Sequence, residues 1–337
     1  MATWQTLFET GRIARDALRE QQDCIREVHA RLAPYLASPT NTPATYEVHP
    51  APLPADSLDW NKNIFSTLFQ AVYHLMDVPA PRRLLYGKLI HLYRIWVTSA
   101  DNLLDDEDKH VIAVALPGTA RVMRQVIAVM ATDRVLAEVL NEAVAQGAIS
   151  ADQRDALSCE SLRCLLPSAA QEATEEGGIT VRPPPEEVLN IIHRLKTGLL
   201  FNIVFVAPDI IEPLLPARTI HLRQGLMDFG LGCQVFDDIR DMARDLLEQR
   251  HNVVLSALAH SAPATLEQLT RQLRAPDDRL YSGVPAVVLP LARQGFSQMV
   301  AGLRALGEAG LGCDGAQAES MARAMLPTLD LEDLRLG

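Results

Sequence analysis

Residues 230–241 read Gly230-Leu231-Gly232-Cys233-Gln234-Val235-Phe236-Asp237-Asp238-Ile239-Arg240-Asp241, an acidic cluster that ends an apolar stretch. The apolar surroundings predict a mostly buried helix, and helical spacing places Gln234, Asp237 and Asp241 on one face. A buried carboxylate without a partner is energetically costly. Either a metal ion or an arginine such as Arg240 would remove that cost. The stretch therefore predicts a cation site on a buried helix.

An earlier acidic cluster, residues 101–108, also follows an apolar helical stretch, and its Asp101 and Asp105 share one helical face. Because a helix C-terminus carries partial negative charge, acidic residues there are unfavourable unless a cation is bound. Two acidic faces of this kind suit divalent cations, which prefer oxygen ligands. The alternative is a solvated helix end, which is the interpretation favoured for Asp106, Glu107 and Asp108.

The composition restricts the possible partners and location of the chain. Its 337 residues carry a net charge of −11 with no compensating basic tract, which argues against a nucleic-acid partner. Its five cysteines form no C-x-x-C pair and indicate reduced thiols. The N-terminus lacks the layout of a signal peptide, so we expect a cytoplasmic protein. Charged residues interrupt the apolar stretch 188–211, which indicates a core helix and no stable membrane insertion.

Helical periodicity dominates the chain, and no segment shows sustained alternation of the kind typical of strands. The pattern predicts helices at about 4–35, 58–77, 82–108, 119–131, 133–146, 151–175, 186–206, 217–247, 251–260, 264–274, 284–306 and 315–326. Five prolines mark residues 38–56 as a loop or arm. We therefore expect one all-α domain over residues 1–337, with an N-terminal helix and arm at 1–57 and a helical bundle at 58–335.

A Lys196-Thr197 pair lies within the apolar helix between the two acidic clusters. The order of these motifs resembles the class I isoprenoid synthases of the trans-prenyltransferase type. Those proteins carry D-D-x-x-D, a K-T pair and Q-x-x-D-D-x-x-D, which here correspond to Asp101-Asn102-Leu103-Leu104-Asp105, Lys196-Thr197 and Gln234–Asp241. The likeness covers roughly residues 60 to 250, and its most specific part is the motif that begins at Gln234.

The resemblance implies a helical bundle with a deep central cavity, three Mg²⁺ ions and a prenyl diphosphate substrate. In this family pattern the metal ligands would be Asp101, Asp105, Asp237 and Asp241, with Asp238 in a supporting position. Lys196 and Gln234 would bind substrate. The catalytic set would be Asp101, Asp105, Lys196 and Asp237, and a homodimer is expected.

The chain departs from the chain-elongating members at the site for a second diphosphate. Asn102 replaces one aspartate, and Lys109-His110 stands where those members carry R-R-G. Lys62 has a suitable position for the lysine of G-K-x-x-R, but Phe65 replaces the arginine. Arg94 replaces a histidine seven residues before Asp101. A reduced set of candidate diphosphate ligands therefore remains, namely Lys62, Arg94 and Lys109.

Apolar residues near the motifs are candidates to line a substrate cavity. Trp96 and Val97 lie five and four residues before Asp101, and Phe201 and Phe205 follow Lys196 on the same helix. Each is therefore a candidate substrate contact. Ordinary core packing is the alternative for every one of them.

These features leave several functions open. The reduced second diphosphate site favours Mg²⁺-dependent ionisation of a farnesyl- or geranylgeranyl-type diphosphate, followed by cyclisation to a terpene. The aspartate-rich second motif favours the alternative, which is chain elongation with isopentenyl diphosphate. Head-to-head condensation fits Gln234 and the Lys196-Thr197 pair less well. The substitution at Asn102 motivates a further alternative, a non-catalytic regulatory subunit of a prenyl synthase.

Overall fold

The computed structural model describes residues 2–105, 107–331 and 333–335, and most of these residues are helical. The α-helices are α1 Ala2–Thr10, α2 Arg12–Leu32, α3 Ile64–Leu75, α4 Ala80–Leu104, α5 Arg121–Ala145, α6 Ala151–Arg163, α7 Leu166–Ala173, α8 Pro185–Glu187, α9 Leu199–Asn202, α10 Val206–Ile211, α11 Thr219–Arg240, α12 Met242–Leu247, α13 Val253–Ser261, α14 Pro263–Gln272, α15 Pro285–Leu306 and α16 Gly315–Met325. Two short strands, β1 His49–Pro50 and β2 Val114–Ala115, pair antiparallel. The all-α prediction is confirmed.

Helix boundaries differ from the predicted ones in several places. The predicted helix at 4–35 is divided into α1 and α2, and the one at 217–247 into α11 and α12. α5 is a single helix where the pattern predicts two, because Thr132 is buried within it and does not act as a cap. The predicted helix at 151–175 is instead split into α6 and α7. Pro167 lies in the first turn of α7, where its missing N–H costs least, so the proline starts a new helix.

The stretch Pro185–Ile211 is a continuous helical run of mixed type. It joins α8, α9 and α10 through two π-helices, Val188–Ile192 and Arg194–Gly198, and a 3-10 turn. Among the described residues it is the one helical run long and apolar enough to cross a membrane by length and composition, and 39% of its most apolar window is buried. A single run of this kind is weak evidence for a membrane span, since core helices pass the same test.

Contacts along the chain define two compact units. The first, which we call the N-terminal unit, comprises Phe8–Cys159 and Val206–Pro216. The second, the C-terminal unit, comprises Glu160–Phe205 and Ala217–Gly337 together with Met1–Leu7. One domain over the whole chain, with an arm at 1–57, stays a prediction.

In the N-terminal unit a buried charge network joins α2, α3 and α4. The Glu20 carboxylate accepts hydrogen bonds from Arg83 at 2.6 Å, Gln70 at 2.7 Å and His74 at 3.0 Å. Burial raises the pKa of Glu20, but the bonds from His74, Arg83 and Gln70 outweigh burial and hold that pKa at about 2. Glu20 therefore stays ionised and fixes α4, the helix that carries Arg94 and Asp101.

In the C-terminal unit α11 and α15 approach so closely that their backbones touch at glycines. A Cβ atom on Gly232 would lie 2.5 Å from the carbonyl oxygen of Gly295. A Cβ atom on Gly302 would lie 2.4 Å from the carbonyl oxygen of Gly225. Any side chain at these positions would push the two helices apart. Since the acidic motif ends α11, this close contact also sets the position of the motif.

We predict that Gly302→Ala destabilises the protein by about 2 kcal/mol or more, because the added methyl group meets backbone atoms that cannot rotate away. The control is Gly118→Ala, since a Cβ atom at Gly118 has no neighbour within 4 Å. Urea denaturation of both variants measures the effect. An unfolding free energy for Gly302→Ala equal to that of the control would contradict the close-contact account.

Candidate active site

The first acidic cluster lies at the end of α4, in the N-terminal unit. Asp101 is half-exposed, and the Lys109 ammonium lies 3.9 Å from its carboxylate. Asp105 follows the last residue of α4, and its N–H donates to the Asp101 carbonyl oxygen at 2.9 Å. The cluster thus places a carboxylate near a lysine ammonium at a negative helix end, and a metal ion at Asp101 and Asp105 stays a prediction.

Asn102 has a structural reason to differ from aspartate. Its side chain is buried, and its Nδ2 donates to the carbonyl oxygen of Lys109 at 2.9 Å. A carboxylate could not donate this hydrogen bond and would face the carbonyl oxygen with a negative charge. Asn102 therefore anchors the segment that follows α4, and its amide is not presented as a metal ligand.

The rest of this cluster is more than a solvated helix end. Lys109 pairs with Glu107, and the buried Arg124 lies 3.7 Å from Asp108. The interpretation of these acids as merely solvated is therefore wrong for Glu107 and Asp108. Asp106 lies outside the described residues.

Lys62 and Arg94, which are separated in sequence, come together in the N-terminal unit. The Arg94 guanidinium donates to Asn63 Oδ1 at 3.2 Å, Ser66 Oγ at 3.3 Å and the Lys62 carbonyl oxygen at 3.3 Å. All three acceptors are neutral. Burial lowers the pKa of Arg94, yet a guanidinium remains protonated in proteins. Within the described part of the chain no carboxylate pairs with Arg94.

Lys196 and Thr197 lie in the π-helix Arg194–Gly198 of the C-terminal unit. Irregular helical turns of this kind occur often at functional sites. The Lys196 ammonium lies 3.2 Å from the Glu172 carboxylate. Burial lowers the pKa of Lys196, but Glu172 and other nearby acids outweigh burial and raise it, so the ammonium stays charged. The Thr197 hydroxyl donates to Gln234 Oε1, so the structure joins the two motifs directly.

At the second acidic cluster an arginine joins the two aspartates that share a face. Arg240 donates to both oxygens of Asp241, from Nε at 2.7 Å and from Nη2 at 2.6 Å. Its Nη2 also donates to Asp237 Oδ1, while Gln234 Nε2 donates to Asp237 Oδ2 at 3.3 Å. Burial raises the pKa of Asp237 and the Arg240 charge lowers it, with a net rise. Of the two cations that the sequence allows, the structure shows the arginine.

Asp238 has a different role from its neighbour Asp237. Its buried carboxylate accepts hydrogen bonds from His193 at 2.9 Å, from the Val253 N–H at 2.6 Å and from Gln234 at 3.0 Å. Burial raises the pKa of Asp238, but His193 and these hydrogen bonds outweigh burial and lower it. Asp238 therefore ties α11 to α13 and to the Pro185–Ile211 run, which agrees with the predicted supporting position.

Three partners of the site were not predicted from the sequence: Glu172, His193 and Asn252. Asn252 caps α13 and donates to the Asp238 carbonyl oxygen at 2.6 Å. The only sequence signal for His193 was a polar residue inside an apolar stretch. Nothing in the sequence pattern connects Glu172 with Lys196.

The apolar candidates divide into partly exposed and buried residues. Trp96 and Val97 are half-buried on α4. Phe201 packs close to Gly230, where a Cβ atom would lie 2.6 Å from its ring. Phe205 is fully buried, and the Arg223 guanidinium lies 4.2 Å from the centre of its ring. Phe205 thus packs as a core residue, and substrate contact by any of the four stays a prediction.

A magnesium ion fits the first aspartate pair, Asp101 and Asp105, by the chemistry of its donors. No group of three His, Cys, Asp or Glu side chains in the described ranges is spaced to hold a metal by itself. Proteins usually bind Mg²⁺ through one or two carboxylates, with substrate phosphates and water completing the octahedron. The Asp101 side chain is 51% exposed, so its carboxylate can bind an ion that also carries phosphate and water ligands. At Asp237 and Asp241 the Arg240 guanidinium already stands at the cation position.

We predict that Asp238→Asn lowers the unfolding free energy by about 3 kcal/mol, because it leaves buried donors without an ionised acceptor. Asp277→Asn, at an exposed aspartate of the same unit, is the matched control. Chemical denaturation at neutral pH measures both variants. Equal stability of the two variants would show that Asp238 is not the structural anchor described above.

Comparison with known proteins finds similarity only at the level of structure. No family model matches the chain, and no curated protein matches it in sequence. The geranylgeranyl pyrophosphate synthase of Lactobacillus brevis superposes with a TM-score of 0.60 at 16% identity, covering 95% of this chain and 99% of that one.

Two further solved structures agree. A polyprenyl synthetase from Streptomyces coelicolor has a TM-score of 0.57 at 16% identity, covering 94% of this chain and 99% of its own. A polyprenyl synthase from Roseobacter denitrificans has a TM-score of 0.57 at 14% identity, with the same coverages. The chain therefore has the all-α isoprenoid synthase fold, the fold of these polyprenyl synthases.

Proposed function

We propose that this chain is a Mg²⁺-dependent prenyltransferase that condenses an allylic prenyl diphosphate with isopentenyl diphosphate. The observation that carries the proposal is the Arg94 guanidinium, which is held in place by neutral acceptors and has no carboxylate partner within the described residues. The names of the superposed solved structures, all synthases of prenyl chains, support the same reaction class.

Arg94 and Lys62 suit a second diphosphate. A guanidinium binds phosphate oxygens through a planar fork, and fixed neutral acceptors hold this fork in one orientation. The Lys62 carbonyl oxygen is one of these acceptors, and the Lys62 ammonium pairs with Asp56. A cyclase acts on one diphosphate and has no use for such a group. We therefore prefer chain elongation to the cyclisation that the sequence favoured.

The remaining charged groups suit the allylic substrate. Asp101 and Asp105 would hold Mg²⁺, which would supply Lewis-acid neutralisation of the diphosphate leaving group. Lys196 remains protonated beside Glu172 and can donate to diphosphate oxygens once that carboxylate is displaced. The hydrogen bond from Thr197 to Gln234 fixes the helix that carries the lysine. In this proposal Lys196 would orient the diphosphate and stabilise the negative charge that develops on it.

The hypothesis of a non-catalytic regulatory subunit loses part of its motivation. It depends on Asn102 and on the missing arginines of the second diphosphate site, and the hydrogen bond from Asn102 to the Lys109 carbonyl oxygen gives Asn102 a structural role. Substrate chain length, a homodimer and a cytoplasmic location stay predictions.

Incubation of the purified chain with Mg²⁺ and an allylic diphosphate, with and without isopentenyl diphosphate, tests the function. We expect a prenyl diphosphate longer by five-carbon units, formed only when both substrates are present. Mass spectrometry identifies the product. A hydrocarbon or terpene alcohol formed from the allylic diphosphate alone would contradict elongation and support cyclisation.

We further predict that Arg94→Gln raises KM for isopentenyl diphosphate about 10- to 100-fold, which corresponds to the loss of a charged hydrogen bond. KM for the allylic diphosphate should stay near the wild-type value. Arg134→Gln, at an exposed arginine of the same unit, is the control for net charge. An equal rise in both KM values, or no rise in either, would show that Arg94 does not bind the second diphosphate.

A further inference from the structure

We infer that Arg240 is a built-in cation that takes the place of a divalent ion at the Asp237–Asp241 pair. In consequence, the chain would bind its metal at Asp101 and Asp105 and hold a guanidinium at the second motif. The inference rests on the proposed function, since it concerns the metal requirement of the same diphosphate chemistry.

The first support is that all four oxygens of the aspartate pair already have protein donors. Arg240 donates to both Asp241 oxygens, at 2.7 and 2.6 Å, and to Asp237 Oδ1. Gln234 donates to Asp237 Oδ2 at 3.3 Å. A divalent ion could coordinate this pair only after displacing several charge-assisted hydrogen bonds, which are among the strongest that proteins form.

The second support is electrostatic. Arg240 lies in the last turn of α11, where the negative end of the helix favours a cation. The Asp241 side chain has only 18% exposure, so solvent weakens its ion pair with Arg240 little. Removal of the guanidinium would leave two carboxylates close together without compensation, and that is the arrangement that recruits a metal.

The sequence identifies Arg240 as a feature of this chain. It stands at a variable position of the D-D-x-x-D pattern, so the pattern itself does not require an arginine there. The arginine lies next to Asp241 in sequence and three residues after Asp237, so its side chain can reach both carboxylates. The same spacing in another chain, with an apolar residue at this position, would leave both carboxylates open.

The test measures how many Mn²⁺ ions each full-length chain retains in saturating inorganic diphosphate, with Mn²⁺ used as a probe for Mg²⁺. We expect Arg240→Gln to retain one more ion than the wild type. Arg271→Gln, which removes an exposed arginine of the same unit, should retain the wild-type number. An equal count for Arg240→Gln and the wild type would overturn the inference.

A second pair of variants keeps the inference testable if Arg240→Gln fails to fold. In the wild-type background Asp101→Asn should retain fewer ions, whereas Asp241→Asn should retain the same number. Loss of an ion in Asp241→Asn would overturn the inference, because Asp241 would then be a metal ligand. The outcome is separate from that of the proposed function, since elongation could proceed with either ion count and its own failure would appear as a missing product.

Discussion

The C-terminal unit depends on the hydrogen bonds that the buried carboxylate of Asp238 accepts. It accepts hydrogen bonds from His193 on the Pro185–Ile211 run, from the first N–H of α13 and from Gln234 on α11. An ion so far removed from water is tolerated only when its lone pairs are satisfied. The three helical segments are therefore held in one arrangement, and Gln234 in turn accepts from Thr197 beside Lys196.

The adjacent residues Asp237 and Asp238 show how one motif serves two purposes. Consecutive residues on a helix point in directions about 100° apart, so one carboxylate can enter the core while the other reaches a different face. Asp238 stabilises the fold, and Asp237 with Asp241 holds a cation. The glycine contacts between α11 and α15 bring this helix into place, because no side chain separates the two backbones.

The sequence was sufficient for the parts of the structure that depend on local periodicity and spacing. It predicted the all-α class and most helices. It could not predict that Arg240 donates to Asp237, because residue spacing does not determine the side-chain conformation of Arg240. It missed Glu172 and His193 because their partners, Lys196 and Asp238, are identified only by the tertiary fold. The π-helices also went unpredicted, since they share the apolar pattern of an α-helix.

The fixed orientation of Arg94 was missed for a related reason. The sequence shows missing arginines, whereas the structure shows that Asn63, Ser66 and the Lys62 carbonyl hold Arg94 in a fixed orientation. A comparison of motifs counts only the residues that match. It cannot detect neutral hydrogen-bond acceptors, such as those around Arg94, that lie outside the motif. The fixed orientation of Arg94 is thus a property of the folded chain, and the proposal of elongation depends on it.

Counting the diphosphate groups bound per chain tests this account most directly. Calorimetric titration with inorganic diphosphate, with and without Mg²⁺, gives the number. We expect two sites, one that requires Mg²⁺ and one that persists without it and is lost in Arg94→Gln. A single, strictly Mg²⁺-dependent site would contradict the account and would return cyclisation as the better hypothesis.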